Sequence, residues 1–202
     1  MIVVLAFSVA TGGAEITTVI DFNNLATPES STANWGVIPA SYAGLGLTWT
    51  GWEVVDGQSF NDGYGSIFSG PFPNNAAYNG GDGNLTVSIA SVNAFDVISA
   101  DFSTWIGFVD PQFEATDVTI TGYLGETQVG TPVAIPLVSG FVTTPINISG
   151  VTEVDFTSSA PNQYWLMDNL TVVTTPEPDA SFLYFAGIAF LVLARRIRPR
   201  RH

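Results

Sequence analysis

The chain has 202 residues, with 18 acidic side chains against five basic ones, a formal net charge of −13, and no cysteine. There is no lysine, the only basic side chains are Arg195, Arg196, Arg198, Arg200, Arg201 and the terminal His202, so residues 1–194 combine 18 acids with no side-chain cation. Within those residues this excludes a Ser-His-Asp or Cys-His nucleophile, a zinc site of His and Cys, a lysine Schiff base or Walker loop, and a nucleic-acid groove, which needs surface Lys or Arg.

In chain order, Ile2 to Ala10 is an apolar stretch followed by Gly12-Gly13-Ala14, a small-residue pattern before Glu15. Residues 1–14 read as a truncated signal peptide, lacking the usual basic start. The alternative is a first β-strand.

From residue 15 to 173 the pattern is short period-two runs broken by Gly, Pro, Asn and Asp. Glu15–Phe22, Gly46–Val55, Asn84–Ile89, Phe95–Phe102, Thr116–Val129, Phe141–Ile148, Val151–Thr157 and Tyr164–Val173 are strand-like. Asp56-Gly57, Asn61-Asp62-Gly63, Asn79 to Gly83 and Ala160-Pro161-Asn162 supply turns. Strands at this spacing, with no helical periodicity between them, predict an all-β antiparallel sandwich of jelly-roll type.

Sixteen acids fall in residues 15–175 without a basic partner, so a buried carboxylate there needs backbone N–H groups, hydroxyls, amides or a metal ion. Strict alternation in Tyr164–Val173 places Asp168 on the face of Leu166, Leu170 and Val172. A carboxylate on a core-facing side points to a structural Ca²⁺ held by oxygens, with Asp21 as co-ligand if the terminal strands are neighbours. The alternatives are a bulge that turns Asp168 to solvent, or a capping hydrogen bond to a loop. Gly80-Gly81-Asp82-Gly83-Asn84-Leu85 partly matches a calcium β-roll repeat, but rolls need tandem copies and a single copy reads as a turn.

Paired carboxylates also serve glycoside hydrolases. This is the common hydrolytic mechanism that the composition leaves open, and no local signature selects a pair. Aromatic residues are the remaining candidates. Trp49 and Trp52, three apart, would face opposite sides of a regular strand, so only one of them need be core. Tyr64, Phe68, Phe72, Tyr78, Trp105 and Trp165 add to a supply that either fills the core or stacks on sugar rings.

The end of the chain has three parts: Pro176-Glu177-Pro178, the uncharged apolar run Ala180–Ala194, and the arginine cluster headed by Arg195, Arg196 and Arg198. Fifteen helical residues span about 22 Å, short of the roughly 30 Å hydrocarbon core; snorkelling arginines and bilayer thinning can close that gap. The positive-inside rule puts the arginines in the cytoplasm and the preceding domain outside. This order of parts resembles the PEP-CTERM sorting signal of Gram-negative bacteria. The resemblance implies export, anchoring in the inner membrane by one C-terminal helix with the domain in the periplasm, recognition by an exosortase-type membrane protease, and delivery to the cell surface or matrix. It also implies association with exopolysaccharide-producing, biofilm-forming bacteria.

The domain is similar to exported sandwich domains found ahead of such tails. The similarity rests on Asp21 to Leu25, Tyr42 to Trp49, and Met167 to Val172. The organisation expected is therefore a signal peptide at 1–14, a β-sandwich at 15–173 and a sorting signal at 174–202. The leading expectation is a non-enzymatic matrix-associated protein; a calcium-dependent carbohydrate-binding module and a carboxylate-dependent glycoside hydrolase are the alternatives.

Overall fold

The computed structural model describes residues 14–25, 35–56, 75–80, 83–106 and 111–174. The expected signal peptide up to residue 13, the sorting signal from 175 onward, and Tyr64, Phe68, Phe72, Gly81 and Asp82 lie outside them. Among the described residues no helix is long and apolar enough to cross a membrane.

Among the described residues ten strands run in chain order: β1 Ile16–Ile20, β2 Trp35–Val37, β3 Leu47–Thr50, β4 Glu53–Asp56, β5 Asn75–Tyr78, β6 Thr86–Thr104, β7 Asp117–Leu124, β8 Thr127–Pro136, β9 Val142–Ser158 and β10 Trp165–Thr174. One 3-10 turn, Pro111–Phe113, precedes β7. The pairings of β2 with β4, β4 with β5, β5 and β6 with β10, β3 and β9 with β6, and β8 and β9 with β7 are antiparallel. The hydrogen-bonded order is β2-β4-β5-β10-β6-β9-β7-β8, with β1 added to β10 and β3 to β6.

Two long strands turn this ladder into a sandwich. The first part of β6 pairs with β3 and with the last part of β9, while its second part pairs with β10 and the first part of β9. The register shifts between Ala90 and Phe95, where Val92 and Asn93 are exposed. In β9 the corresponding bend lies at Asn147 to Gly150, with positive φ at both ends of that segment. The Gly150 N–H donates to Asp96 Oδ1 at 2.7 Å across the bend. Bulges of this kind bend a strand so that it can serve both layers. One layer is then β2-β4-β5-β10-β6-β9 and the other β3-β6-β9-β7-β8. Their facing sides share one core, which includes Trp49, Val87, Ile120 and Phe156 from the second layer and Val54, Phe102, Trp165 and Met167 from the first. A smaller cluster of Val55, Ala76, Tyr78, Trp105 and Leu166 occupies the opposite side of the first layer.

The antiparallel sandwich expected from the period-two pattern is therefore present, with differences of detail: the Thr116–Val129 run is two strands, β7 and β8, turned at Gly125 with φ +61°. The Gly46–Val55 run is two strands, because Gly51 at φ +80° turns the chain between them. The runs Asn84–Ile89 and Phe95–Phe102 are one bent strand, as are Phe141–Ile148 and Val151–Thr157. At Gly122 a Cβ would stand 2.6 Å from Ile148 Cγ2, so glycine is what lets β7 close on the bent part of β9.

Candidate functional site

Among the described residues, the aromatic candidates are buried. Trp49 and Trp52 are both buried, contrary to the opposite-face expectation, since the turn at Gly51 resets the alternation between them. Their rings meet edge to face at 5.8 Å. Trp52 continues to Trp165 at 5.4 Å and Phe156 at 5.1 Å, and Trp49 meets Phe22 at 5.7 Å. Both indole N–H groups are used internally, Trp49 donating to the Tyr42 carbonyl and Trp52 to the Ser88 carbonyl. Tyr78 and Trp105, also buried, pack on each other at 5.0 Å. A hollow of about 270 Å³ opens beside Val37, Glu53 and Asn84. The two tryptophans that line it belong to the core and present no free ring face.

The carboxylate candidates converge on β10. Alternation from Trp165 to Asp168 puts Trp165 and Met167 in the main core and Leu166 in the second cluster. Asp168 follows Leu166. Asn169 then takes φ +48°, the register with β6 shifts, and Leu170 and Val172 return to the main core. The bulge thus separates Asp168 from Leu170 and Val172, which strict alternation had placed on one face with it. It does not turn Asp168 to solvent: the residue is 3% exposed.

Three features surround this side chain. On one flank the β6 ladder places Asp101 directly opposite Asp168. On the other flank β5 pairs with β10 only at Leu166 and Met167, and β1 also pairs with β10, so Asp168 follows directly on the last residue that β5 pairs. Immediately after β1 come Asp21 and the turn to Leu25. Asn75, at the start of β5, holds that turn: its amide donates to the carbonyls of Phe22 at 3.1 Å and Leu25 at 2.9 Å, and its N–H donates to Asn23 Oδ1. Tyr42 closes the group with a short hydrogen bond to Asn24 Oδ1 and a ring stacked on Phe22 at 5.8 Å.

The electrostatics follow from this packing. Burial pushes the Asp168 carboxyl up to about 7; the Asn169 backbone hydrogen bond, the next-largest effect, opposes it, and the charges of Asp101 and Asp21 add smaller upward pushes. Burial and the same carboxylates, Asp21 and Asp168, push the Tyr42 hydroxyl up to about 12. The Asn169 amide donates to Asp101 Oδ2 at 2.8 Å, and the Asn23 N–H to Asp21 Oδ1 at 3.2 Å. Asp168 Oδ1 is buried with no hydrogen-bond partner. β1 pairs β10, so Asp21, just after β1, and Asp168 lie on neighbouring strands; Asp101 joins them across the β6 ladder and lacked any local signal because its place depends on strand pairing. Among the described residues no three acidic side chains stand close enough to hold a metal ion by themselves.

No family model matches the chain, and no curated protein matches it. Solved structures give loose likenesses. A cleaved adhesin domain of Lys-gingipain aligns with 79% of this chain and 98% of its own length at 13% identity, with a TM-score of 0.45. A family 29 carbohydrate-binding module aligns with 80% of this chain and 93% of its own at 16% identity and TM-score 0.42. A family two carbohydrate esterase from Cellvibrio japonicus aligns with 82% of this chain at 13% identity and TM-score 0.40, and the chain spans 36% of that esterase. At these scores the likenesses carry nothing about ligand or activity to this chain.

Proposed function

We propose that this chain is an exported, surface-sorted β-sandwich that acts by binding rather than by catalysis, in association with an extracellular polysaccharide matrix. The observation that carries the sorting half is the order Pro176-Glu177-Pro178, apolar Ala180–Ala194, arginine cluster. The fold supports it in one respect. β10 is flanked by β6 on one edge and by β5 and β1 on the other, and it ends at Thr174, two residues before Pro176. A cut by a membrane protease of exosortase type after Thr174 would leave β10 and its pairings whole. Deleting residues 176–202 is expected to send the domain into periplasm or medium; membrane or surface association that persists in fractionation would overturn the sorting role.

Binding rather than hydrolysis is favoured by the burial of Asp168, the one buried acid among the described residues. Asp168 faces its like-charged neighbour Asp101 but is shut away from any polymer. The outer face of the second layer, by contrast, carries partly exposed hydroxyls. Thr50, Ser88, Asp155 and Thr121 lie in one row across four strands. A partly exposed hydroxyl row on an anionic domain suits an uncharged glycan, or an acidic one bridged by divalent ions. A glycan array on the purified chain tests this, and release of reducing ends from pooled polysaccharides would favour the hydrolase instead.

A further inference from the structure

We infer that Asp168 is the centre of a Ca²⁺ site that fastens the turn after β1 to the last strand. The inference rests on none of the sorting or matrix reading, and its test reads the metal alone.

The starting point is an unmet requirement. Asp168 is 3% exposed, and its Oδ1 has no partner. Buried carboxylate oxygens are costly unless hydrogen-bonded or neutralised. Residues 1–194 contain no Lys, Arg or His, so no side chain of the sandwich can neutralise it. The fold instead brings two more acids toward it, Asp101 across the ladder and Asp21 from the turn after β1. Like charges opposite each other on adjacent strands destabilise a sheet. An arrangement that brings two further carboxylates toward an unpartnered buried carboxylate oxygen is balanced by a cation from solution.

The atoms at hand select the ion. Near Asp168 they are carboxylate, amide and backbone oxygens, with no thiol or imidazole in the sandwich, which is a hard donor set suited to Ca²⁺ rather than zinc or copper. Three acids do not meet on one point. The ion therefore takes Asp168 with one flanking carboxylate and completes its shell from backbone oxygens or water. Ca²⁺ tolerates such irregular, partly aqueous shells, whereas Mg²⁺ demands near-ideal octahedra. Low ligand charge sets the affinity near that of extracellular calcium modules, roughly 10⁻⁴ to 10⁻³ M. The turn from Asp21 to Leu25 is already held by Asn75 and Tyr42, so most of the ordering cost of the site is met before the ion arrives.

The test is thermal unfolding of the full chain in detergent and 150 mM NaCl, with 5 mM CaCl₂ or with EDTA. Calcium is expected to raise the wild-type midpoint by about 5 °C, and calorimetric titration with CaCl₂ to give one site per chain. Asp168→Asn keeps the shape, removes the buried charge, and is expected to fold yet lose both responses. No wild-type shift would overturn the site; so would a shift kept in Asp168→Asn, which would mean diffuse screening of a polyanion. Asp21→Asn and Asp101→Asn decide the second ligand, since the one that abolishes the response names it. An undiminished response in both would overturn a two-carboxylate site.

Discussion

Two pairs of acids sit side by side in this fold and meet opposite conditions. Asp101 and Asp168 oppose each other across β6 and β10, with Asp168 buried and its Oδ1 unpartnered. Glu153 and Asp155 lie two apart on one face of β9, half-buried between β6 and β7, where Ser88 and Thr121 flank Asp155. Burial, and after it the charge of Glu153, pushes the Asp155 carboxyl up from its ordinary value. The number of charges is the same in both places; access of water and salt is not. Repulsion on an open face is screened over a Debye length of about 8 Å in physiological salt, whereas burial removes that screening. Crowded acids alone do not make a site. Only Asp168, where the sheet changes partner, keeps a buried carboxylate oxygen without a hydrogen-bond partner among the described residues.

The comparison is tested hardest by taking away what holds the first pair in its walls. Asn75→Ala leaves the Leu25 carbonyl without the amide that caps it and frees the turn that carries Asp21. Losing buried hydrogen bonds of this kind costs about 1–3 kcal/mol. A denaturant midpoint lower by that amount, together with loss of the calcium response, is expected; an unchanged midpoint would mean that the turn is held by other contacts. Asp168→Asn has the opposite sign in metal-free buffer. At pH 7.5 it removes a buried charge and should stabilise the sandwich by on the order of 1 kcal/mol, read as a raised midpoint in EDTA. Destabilisation there would show that the carboxylate is satisfied without any ion.

How far the sequence anticipates this contrast depends on the range of each signal. Period-two runs with Gly and Asn breaks identify the antiparallel sandwich, because alternation is a local consequence of strand geometry. The run containing Trp49 and Trp52 misleads, since Gly51 at φ +80° cancels the parity on which opposite faces rest. β2 and β5 carry no legible pattern: Asn75-Ala76-Ala77-Tyr78 is buried on both faces, and alternation is a sign of one-sided burial. Asp168 could be singled out because a charge among apolar neighbours stands out locally. Asp101, in the run Ser99-Ala100-Asp101-Phe102, looks like any outward strand residue until β10 is laid against it. Nor does the sequence mark the bulge at Asn169, although Asn is among the few residues that tolerate positive φ.

The smallest expected effect falls on the open pair, and it carries the control for the rest. A carboxyl whose folded pKa is raised stabilises nothing at neutral pH. Its folded state is fully favoured below the ordinary carboxylate value near 4 and loses ground as pH rises through the folded value. For Asp155 the direction is upward, so wild type should lose a little stability on going from pH 4 upward, and Asp155→Asn should remove that share of the slope. On a partly open face the change belongs within about 0.5 kcal/mol, and 0.5 M NaCl should erase most of the part due to Glu153, since screening reaches only a few ångströms at that strength. Denaturant midpoints against pH, at low and high salt, measure it. If Asp155→Asn gained as much as Asp168→Asn, or if salt left its slope untouched, water would not distinguish the two pairs, and the buried position of Asp168 would lose its special claim on a cation.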